Sequence, residues 1–533
     1  MRRLMGIALA AAIGAFGLTA AADVTNYQKY VIGERALGMG GAQTAAVNDP
    51  MSCLYNPAGM VFAGSSMVSA SKSIYSMDYR IIEGGFVPSL QSGVDAVSLE
   101  QENALTMPST LALMVRFGPR LYKGGPKRHA IGISVLTPYQ DSFTLRGKWK
   151  ADQNLRDKEN YSLSESSAVV WTGASYAFLV NEQLGLGASA FLVNSSWSRH
   201  LGTNRFLDEG GQDVCRLARC GYMEFKDSSF DSNVVSLLFQ VGALWNPHEN
   251  WRFGLTVRSP SIILGDLYLV STEGSLDQTY GLARIENTDD DYLQYFSDTY
   301  KVKVAEYEPA SIRAGYAFLW NSRFTIDLDT TVYLPVSFHR IRGDPVKDRY
   351  EKALDEGDDT VSPEWADMGI VREVDRKTIA NLNLGTEAIF DQAWTLRVGL
   401  FTDFSSAPAV KPSPQAQLTR MNRYGASLSV GYQSEGYDIT IGAMGSLGSG
   451  EASVYHFDAA PQEQWQPART EERVIYVFIA GVQKAVIDTA KGWWNDIWDK
   501  SNEKKEGGAK RGEGELKMEE EKPAGGQAPP PSV

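Results

Sequence analysis

The chain has 533 residues, a formal net charge of −13 and a mean hydropathy of −0.25. That acidic balance argues against nucleic acid as a partner. Beyond the N-terminus no stretch holds about eighteen consecutive apolar residues, which excludes a bundle of spanning helices.

Met1-Arg2-Arg3, the apolar run Leu4 to Leu18 and Ala20-Ala21-Ala22 have the three parts of a secretory signal peptide. Residues 1–22 are therefore predicted to be removed, with the mature chain starting near Asp23. An exported chain of low hydropathy fits a β-barrel, in which only alternate residues need face lipid.

Residues 23–65 precede every strand-like segment and are rich in glycine and small side chains. Gly33, Gly38, Gly40 and Gly41 permit backbone conformations that bulkier residues resist. Asn48-Asp49-Pro50 and Asn56-Pro57 are turn signals. A compact, tightly turning piece is predicted, neither a long helix nor a strand, filling the lumen of a barrel made by the rest of the chain. Cys53 is read as a small buried residue of this piece.

The run Ala36-Leu37-Gly38-Met39-Gly40-Gly41-Ala42, with Asn48-Asp49-Pro50 and Leu54-Tyr55-Asn56-Pro57-Ala58-Gly59-Met60, resembles the N-terminal hatch of the FadL/TodX family. Asn56-Pro57-Ala58 matches the family's NPA motif. The resemblance implies an outer-membrane channel for long-chain fatty acids or other hydrophobic molecules, working as a monomer among outer-membrane lipid and lipopolysaccharide. A related family of plugged barrels serving secretion systems opens similarly, so the motif speaks for an architecture before a substrate.

From residue 66 to 486 the sequence repeats short runs of alternating character. Phe324, Ile326, Leu328, Val332 and Leu334 fall on one face, with Asp327, Asp329 and Thr331 on the other. Leu396, Val398 and Leu400 oppose Arg397, Gly399 and Asp403, and Leu382 and Leu384 oppose Asn381, Asn383 and Glu387. A period of two is that of a strand with one apolar and one polar surface. Aromatic residues at strand ends, among them Phe178, Trp245, Trp251, Trp320, Phe390, Trp394 and Tyr432, tip the reading from a soluble sandwich to a membrane barrel.

About fourteen strands are predicted, near 66–79, 106–117, 127–145, 164–180, 183–199, 230–246, 249–272, 300–320, 322–341, 374–391, 393–405, 420–434, 436–450 and 470–486. Tight turns such as Asn181-Glu182 and Ser434-Glu435 alternate with long polar loops around 80–105, 146–163, 200–229, 273–299, 342–373, 406–419 and 451–469. Short periplasmic turns and long external loops follow from outer-membrane insertion. The fold class expected is all-β: a transmembrane antiparallel barrel with an N-terminal hatch in its lumen. Phrases such as NPHENWRFGLTVRSP and RYGASLSVGYQ resemble later strands of the same family.

In one predicted loop Cys215 and Cys220 are spaced to close a small disulfide in an oxidising compartment. Residues 487–533 depart from the family pattern. Trp493, Trp494, Ile497 and Trp498 have helical spacing, either for a membrane interface or for the barrel mouth. Beyond Ser501 the Lys, Glu, Gly and Pro composition cannot build a core. A disordered periplasmic tail able to bind a protein partner is expected there.

His129, His200, His248, His339 and His456 are scattered, with no nucleophile motif and no metal-ligand spacing. Neither catalysis nor a cofactor or metal is expected. The transport reading needs an apolar pocket inside a plugged lumen, assigned to Leu37, Met39, Leu54, Met60 and Phe62. The resemblance further implies an inward kink in the third strand that opens a lateral passage beside the NPA segment. Pro138, followed by Tyr139, is its candidate, because proline interrupts a ladder. Hatch movement would then make the route passive and ligand-gated. The alternatives are a general porin, which the hatch opposes, and a structural or secretion-linked barrel binding protein partners through loops and tail.

Overall fold

The computed structural model describes residues 25–87, 97–104, 109–122, 125–150, 158–207, 221–267, 273–285, 292–320, 323–342, 373–391, 393–410, 419–456 and 465–484. The expected signal peptide, the Cys215–Cys220 pair and the tail 487–533 lie outside the described residues.

The chain forms a closed antiparallel barrel of 14 strands. They are β1 (Met67–Val87), β2 (in two pieces, Val97–Ala104 and Ser109–Arg120), β3 (Lys127–Lys150), β4 (Lys158–Leu179), β5 (Leu184–Leu207) and β6 (Gly221–His248). Next come β7 (Trp251–Arg258, Ile262–Ile263 and Glu273–Ile285), β8 (Tyr292–Val304 and Ser311–Trp320) and β9 (Phe324–Tyr333). The last are β10 (Ile379–Phe390), β11 (Trp394–Asp403), β12 (Thr419–Gln433), β13 (Tyr437–His456) and β14 (Trp465–Lys484). Closure comes from β1 against β14, with Met67 opposite Lys484 and Ile82 opposite Thr470. A closed sheet has no edge, so every backbone polar group in the apolar zone finds a partner.

The alternation sets inside from outside. Leu328 is 45% exposed on the outer wall, while Asp327 and Asp329 beside it are 0% exposed on the inner wall. Leu382, Leu384, Leu396, Val398 and Leu400 likewise face outward, and Asn381, Asn383, Glu387, Arg397 and Asp403 are buried inside. At the short-turn end aromatic rings touch across strands. Trp251 and Tyr316 have ring centroids 5.4 Å apart and Trp394 and Tyr432 5.3 Å. The turns carry their own chemistry: Asn181 Oδ1 accepts the N–H groups of Gln183 and Leu184, and Ser434 Oγ those of Gly436 and Tyr437.

Strand length differs from the sequence expectation. The pieces 221–229, 273–285, 292–299 and 465–469, assigned to loops, are paired strand, and β6 reaches 28 residues. A membrane crossing needs only about 9–11. Beyond that height both faces are wetted, so the polar–apolar alternation that marks a strand in sequence fades while the ladder continues.

The segment 25–66 lies within the barrel. It holds three short turns of helix, Glu34–Gly38, Ser52–Tyr55 and the 3-10 turn Pro57–Phe62. Gly40 and Gly41 have positive φ, 60° and 87°, which reverses the chain against β10 and β11. The wall accommodates this backbone with glycine. A Cβ on Gly399 would overlap the Gly40 nitrogen and the Met39 carbonyl carbon, and one on Gly254 the Thr44 carbonyl. Gly254 pairs with Gly315, and Gly385 with Gly399, so the plug backbone rests on glycine pairs in neighbouring strands.

Candidate functional site

Inner-wall acids and amides hold the plug by its backbone. Asp329 Oδ2 accepts the Gln43 and Thr44 N–H groups at 2.8 and 2.9 Å, and Asp327 Oδ2 accepts Ala46 N–H at 3.1 Å. Asn383 Nδ2 donates to the Gly40 carbonyl at 2.7 Å, and Asp403 Oδ1 accepts Gln28 N–H at 2.9 Å. Each satisfies a plug group that has no strand partner of its own.

Two buried ion clusters add to this. In one, Arg397 reaches Glu34 and Glu387, both at 2.7 Å, and Arg35 reaches Glu387 at 2.8 Å. In the other, Lys29 Nζ sits among Asp141 at 2.6 Å, Asp78 at 2.9 Å and Glu472 at 3.1 Å. Arg80 and Arg423 also pair with Glu472. Burial works to discharge Lys29, but the carboxylates of Asp141, Asp78 and Glu472 outweigh it and hold the ammonium pKa above its ordinary value.

Asn56 of the NPA motif is fully buried. Its Nδ2 donates to the Thr44 and Ala243 carbonyls, both at 3.0 Å, and its Oδ1 accepts Ala58 N–H at 3.2 Å. Pro57 lies against Gly187 and Gly242, so the motif rests on β5 and β6. It joins two plug segments to one wall position.

A cavity of about 90 Å³ lies between plug and wall. Its aromatic lining is Tyr27, Tyr30, Tyr55, Tyr139, Trp171 and Tyr333. Arg258, Arg313 and Glu308 bring charge to it, and Gln28, Gln240 and Asn383 bring amides. Arg258 lies over the Trp171 ring at 5.1 Å and Arg313 over Tyr55 at 5.2 Å, close enough for cation–π attraction. Tyr27 stacks on Tyr333 at 4.4 Å.

Of the five residues assigned to an apolar pocket, Leu54 lines this cavity and Leu37 a smaller one of about 10 Å³ beside Tyr476 and Phe478. The other three are not among its lining residues. Met39 packs over Gly385, Met60 lies near Cys53 and Gly132, and Phe62 lies near Gly185. Cys53 is a free buried thiol, and burial pushes its pKa up to about 11. Pro138 and Tyr139 both line the main cavity. Leu136 pairs with Trp171 and Tyr139 with Val169, so β3 carries one extra residue at Thr137-Pro138. Among the described residues the ladder from β3 to β2 also ends at Leu136.

No family model matches the chain, and no curated protein matches it. Solved structures do. The crystal structure of a Pseudomonas aeruginosa FadL homologue aligns over 86% of this chain and 99% of its own, with 14% identity and a TM-score of 0.53. The fold is that of the FadL/TodX channels. The P. putida toluene transporter TodX aligns over 85% of this chain and 98% of its own at 12% identity and a TM-score of 0.49. The CymD monoaromatic hydrocarbon channel gives 86% and 98% at 14% and 0.45.

On this FadL-type frame sequence reasoning missed the Lys29 cluster and the Arg258–Arg313–Trp171 wall. Each of these strand residues lies in lumen-facing phase, which the alternation signals. Which wall residue meets which plug residue is set by the path of the plug, and that has no period. Among the described residues no cluster of His, Cys, Asp and Glu is arranged to hold a metal ion.

Proposed function

We propose that this protein is a channel of the bacterial outer membrane for passive uptake of hydrophobic small molecules, fatty acids or hydrocarbons. The observation that carries the reading is the aromatic cavity between plug and wall, bordered by the β3 bulge at Pro138-Tyr139. A water-filled pore gives a hydrophobic solute no affinity, whereas an enclosed aromatic site does. Leu54 contributes apolar surface from the plug. The bulge supplies a lateral exit toward lipid, and displacement of the plug segment carrying Tyr27, Tyr30 and Leu54 joins cavity to exit when ligand binds. The barrel works as a monomer surrounded by outer-membrane lipid and lipopolysaccharide.

The test is uptake of radiolabelled toluene and oleate by cells with an intact lipopolysaccharide leaflet, with and without the protein. Saturable uptake of at least one solute is expected. Rates equal to those of cells lacking the protein would overturn the reading.

A further inference from the structure

The main cavity is not lined as a site for a hydrocarbon alone. Beside its rings it is lined by the guanidinium residues Arg258 and Arg313 and by the amide residues Gln28, Gln240 and Asn383, all of which have hydrogen to give. The occupant they suit presents acceptors.

Charge agrees with hydrogen bonding. Arg258 and Arg313 both line the cavity, and among the described residues neither forms a salt bridge. Ser311 pairs with Arg258 and Arg313 with Thr256, so the two arginines are diagonal neighbours on the inner face of β7 and β8. Such positions lie about 7–8 Å apart, within reach of one carboxylate between two long side chains. Among the lining residues Glu308 offsets one of the two charges and leaves one positive charge in excess; Asp329, near Arg313, lies outside the lining, and its Oδ2 accepts the plug N–H groups of Gln43 and Thr44.

Shape narrows the class. The volume is about 90 Å³, where one water needs roughly 10–15 Å³ on the same scale. That holds a compact molecule and not a long alkyl chain. The walls are rings, with Tyr27 stacked on Tyr333 and Trp171 set against Phe191 at 5.3 Å, and flat faces favour a planar guest.

We infer that the cavity is a binding site for a small planar aromatic carboxylate, its ring among Tyr27, Tyr55, Trp171 and Tyr333 and its carboxylate between Arg258 and Arg313. This rests on the uptake reading above and narrows its cargo to a compact amphiphile, an aromatic ring bearing one carboxylate in place of a long alkyl acid. The anion is held by charge-assisted bonds from the guanidiniums.

The test is isothermal titration of the full-length protein in detergent at pH 7, with sodium 4-ethylbenzoate and with its uncharged counterpart 4-ethyltoluene. The benzoate is expected to bind at least tenfold more tightly. Arg258→Gln should weaken the benzoate about tenfold and leave the toluene unchanged. Heat-modifiable gel migration reports that the variant is folded. If it is not, Arg313→Gln removes the other guanidinium and should cost the benzoate several-fold. Equal affinity for both probes, or a benzoate affinity indifferent to both substitutions, would overturn the carboxylate site and leave the hydrophobic channel standing. Binding of neither probe would overturn the site, and absence of toluene and oleate uptake as well would remove the channel reading with it.

Discussion

Lys29 Nζ lies 2.6 Å from Asp141 Oδ1, joining the first described segment of the plug to the wall three residues beyond the Pro138 bulge. Asp78 and Glu472 complete the cage, and the side chain of Lys29 is wholly buried. Removing one partner of a buried ion group leaves charge without compensation, which costs about 3–5 kcal/mol. Lys29→Met is therefore expected to loosen residues 25–32, seen as faster hydrogen exchange there with the barrel strands unchanged. Pairing it with Asp141→Asn should restore part of the protection. Undisturbed exchange in the single variant would show that the cage does not hold the plug.

A second prediction concerns the glycine wall. A methyl group at Gly399 has no space, because the Gly40 nitrogen and Met39 carbonyl carbon occupy it, and neither is the end of a flexible side chain. Gly399→Ala should displace the plug at a cost of about 1–3 kcal/mol. Gly436→Ala is the control, since nothing lies within 4 Å of its added carbon. Protease nicking of the plug in the first variant and not the second is the expected contrast.

The same contacts explain what was legible in the sequence. Asp327, Asp329, Asn383, Glu387, Arg397 and Asp403 stand on the polar side of the alternation, and all six meet the plug. A period of two was enough to find them. The plug has no such period. Met39 and Met60 point into tight seats near Gly385 and Gly132 because turns at glycine and proline aim them there. A pocket assigned from hydrophobicity therefore placed Leu54 at the main cavity and Leu37 at a smaller one, and passed over the tyrosines and arginines around the first. The strand extensions beyond the membrane were missed for the opposite reason: the ladder persists where the hydropathy signal has gone.

Asn56 allows a third prediction. Asn56→Ala removes the bonds to the buried Thr44 and Ala243 carbonyls and to the Ala58 N–H. About 2–3 kcal/mol of plug docking should be lost. Asn56→Asp keeps the acceptor and loses the Nδ2 donor, so it should rescue little. A melting profile of the plug indistinguishable from the parent's would contradict this role for the motif.

Asp49 gives the plug a pH dependence. Burial and then the charge of Glu34 push its carboxyl up to about 6, against Arg35 and the Met51 N–H that it accepts at 2.7 Å. In the unfolded chain the group releases its proton near pH 4. The folded state thus binds more protons between about pH 4 and 6, and stability falls as pH rises through that window. The contribution of neutral Asp49 is fully present below about pH 4 and lost above the folded value. Asp49→Asn should flatten the dependence, measured as hydrogen exchange of 49–56 corrected for intrinsic rates. An unchanged slope in that variant would place the titration elsewhere.

The bulge in β3 separates two effects of proline. Thr137 and Pro138 stand against the single residue Val170, between the pairs Leu136–Trp171 and Tyr139–Val169. Pro138→Ala keeps the extra residue, so the strand stays bent and uptake should fall less than twofold. Deleting Pro138 brings Thr137 opposite Val170 and restores a one-to-one ladder. It leaves Leu136, Tyr139 and Asp141 in inward phase, because residues on either side keep their alternation. Folding and the Lys29–Asp141 pair should survive, while the proposed lateral exit closes and uptake drops at least tenfold with ligand binding retained. Uptake that survives the deletion in a folded barrel would mean that cargo leaves by another path.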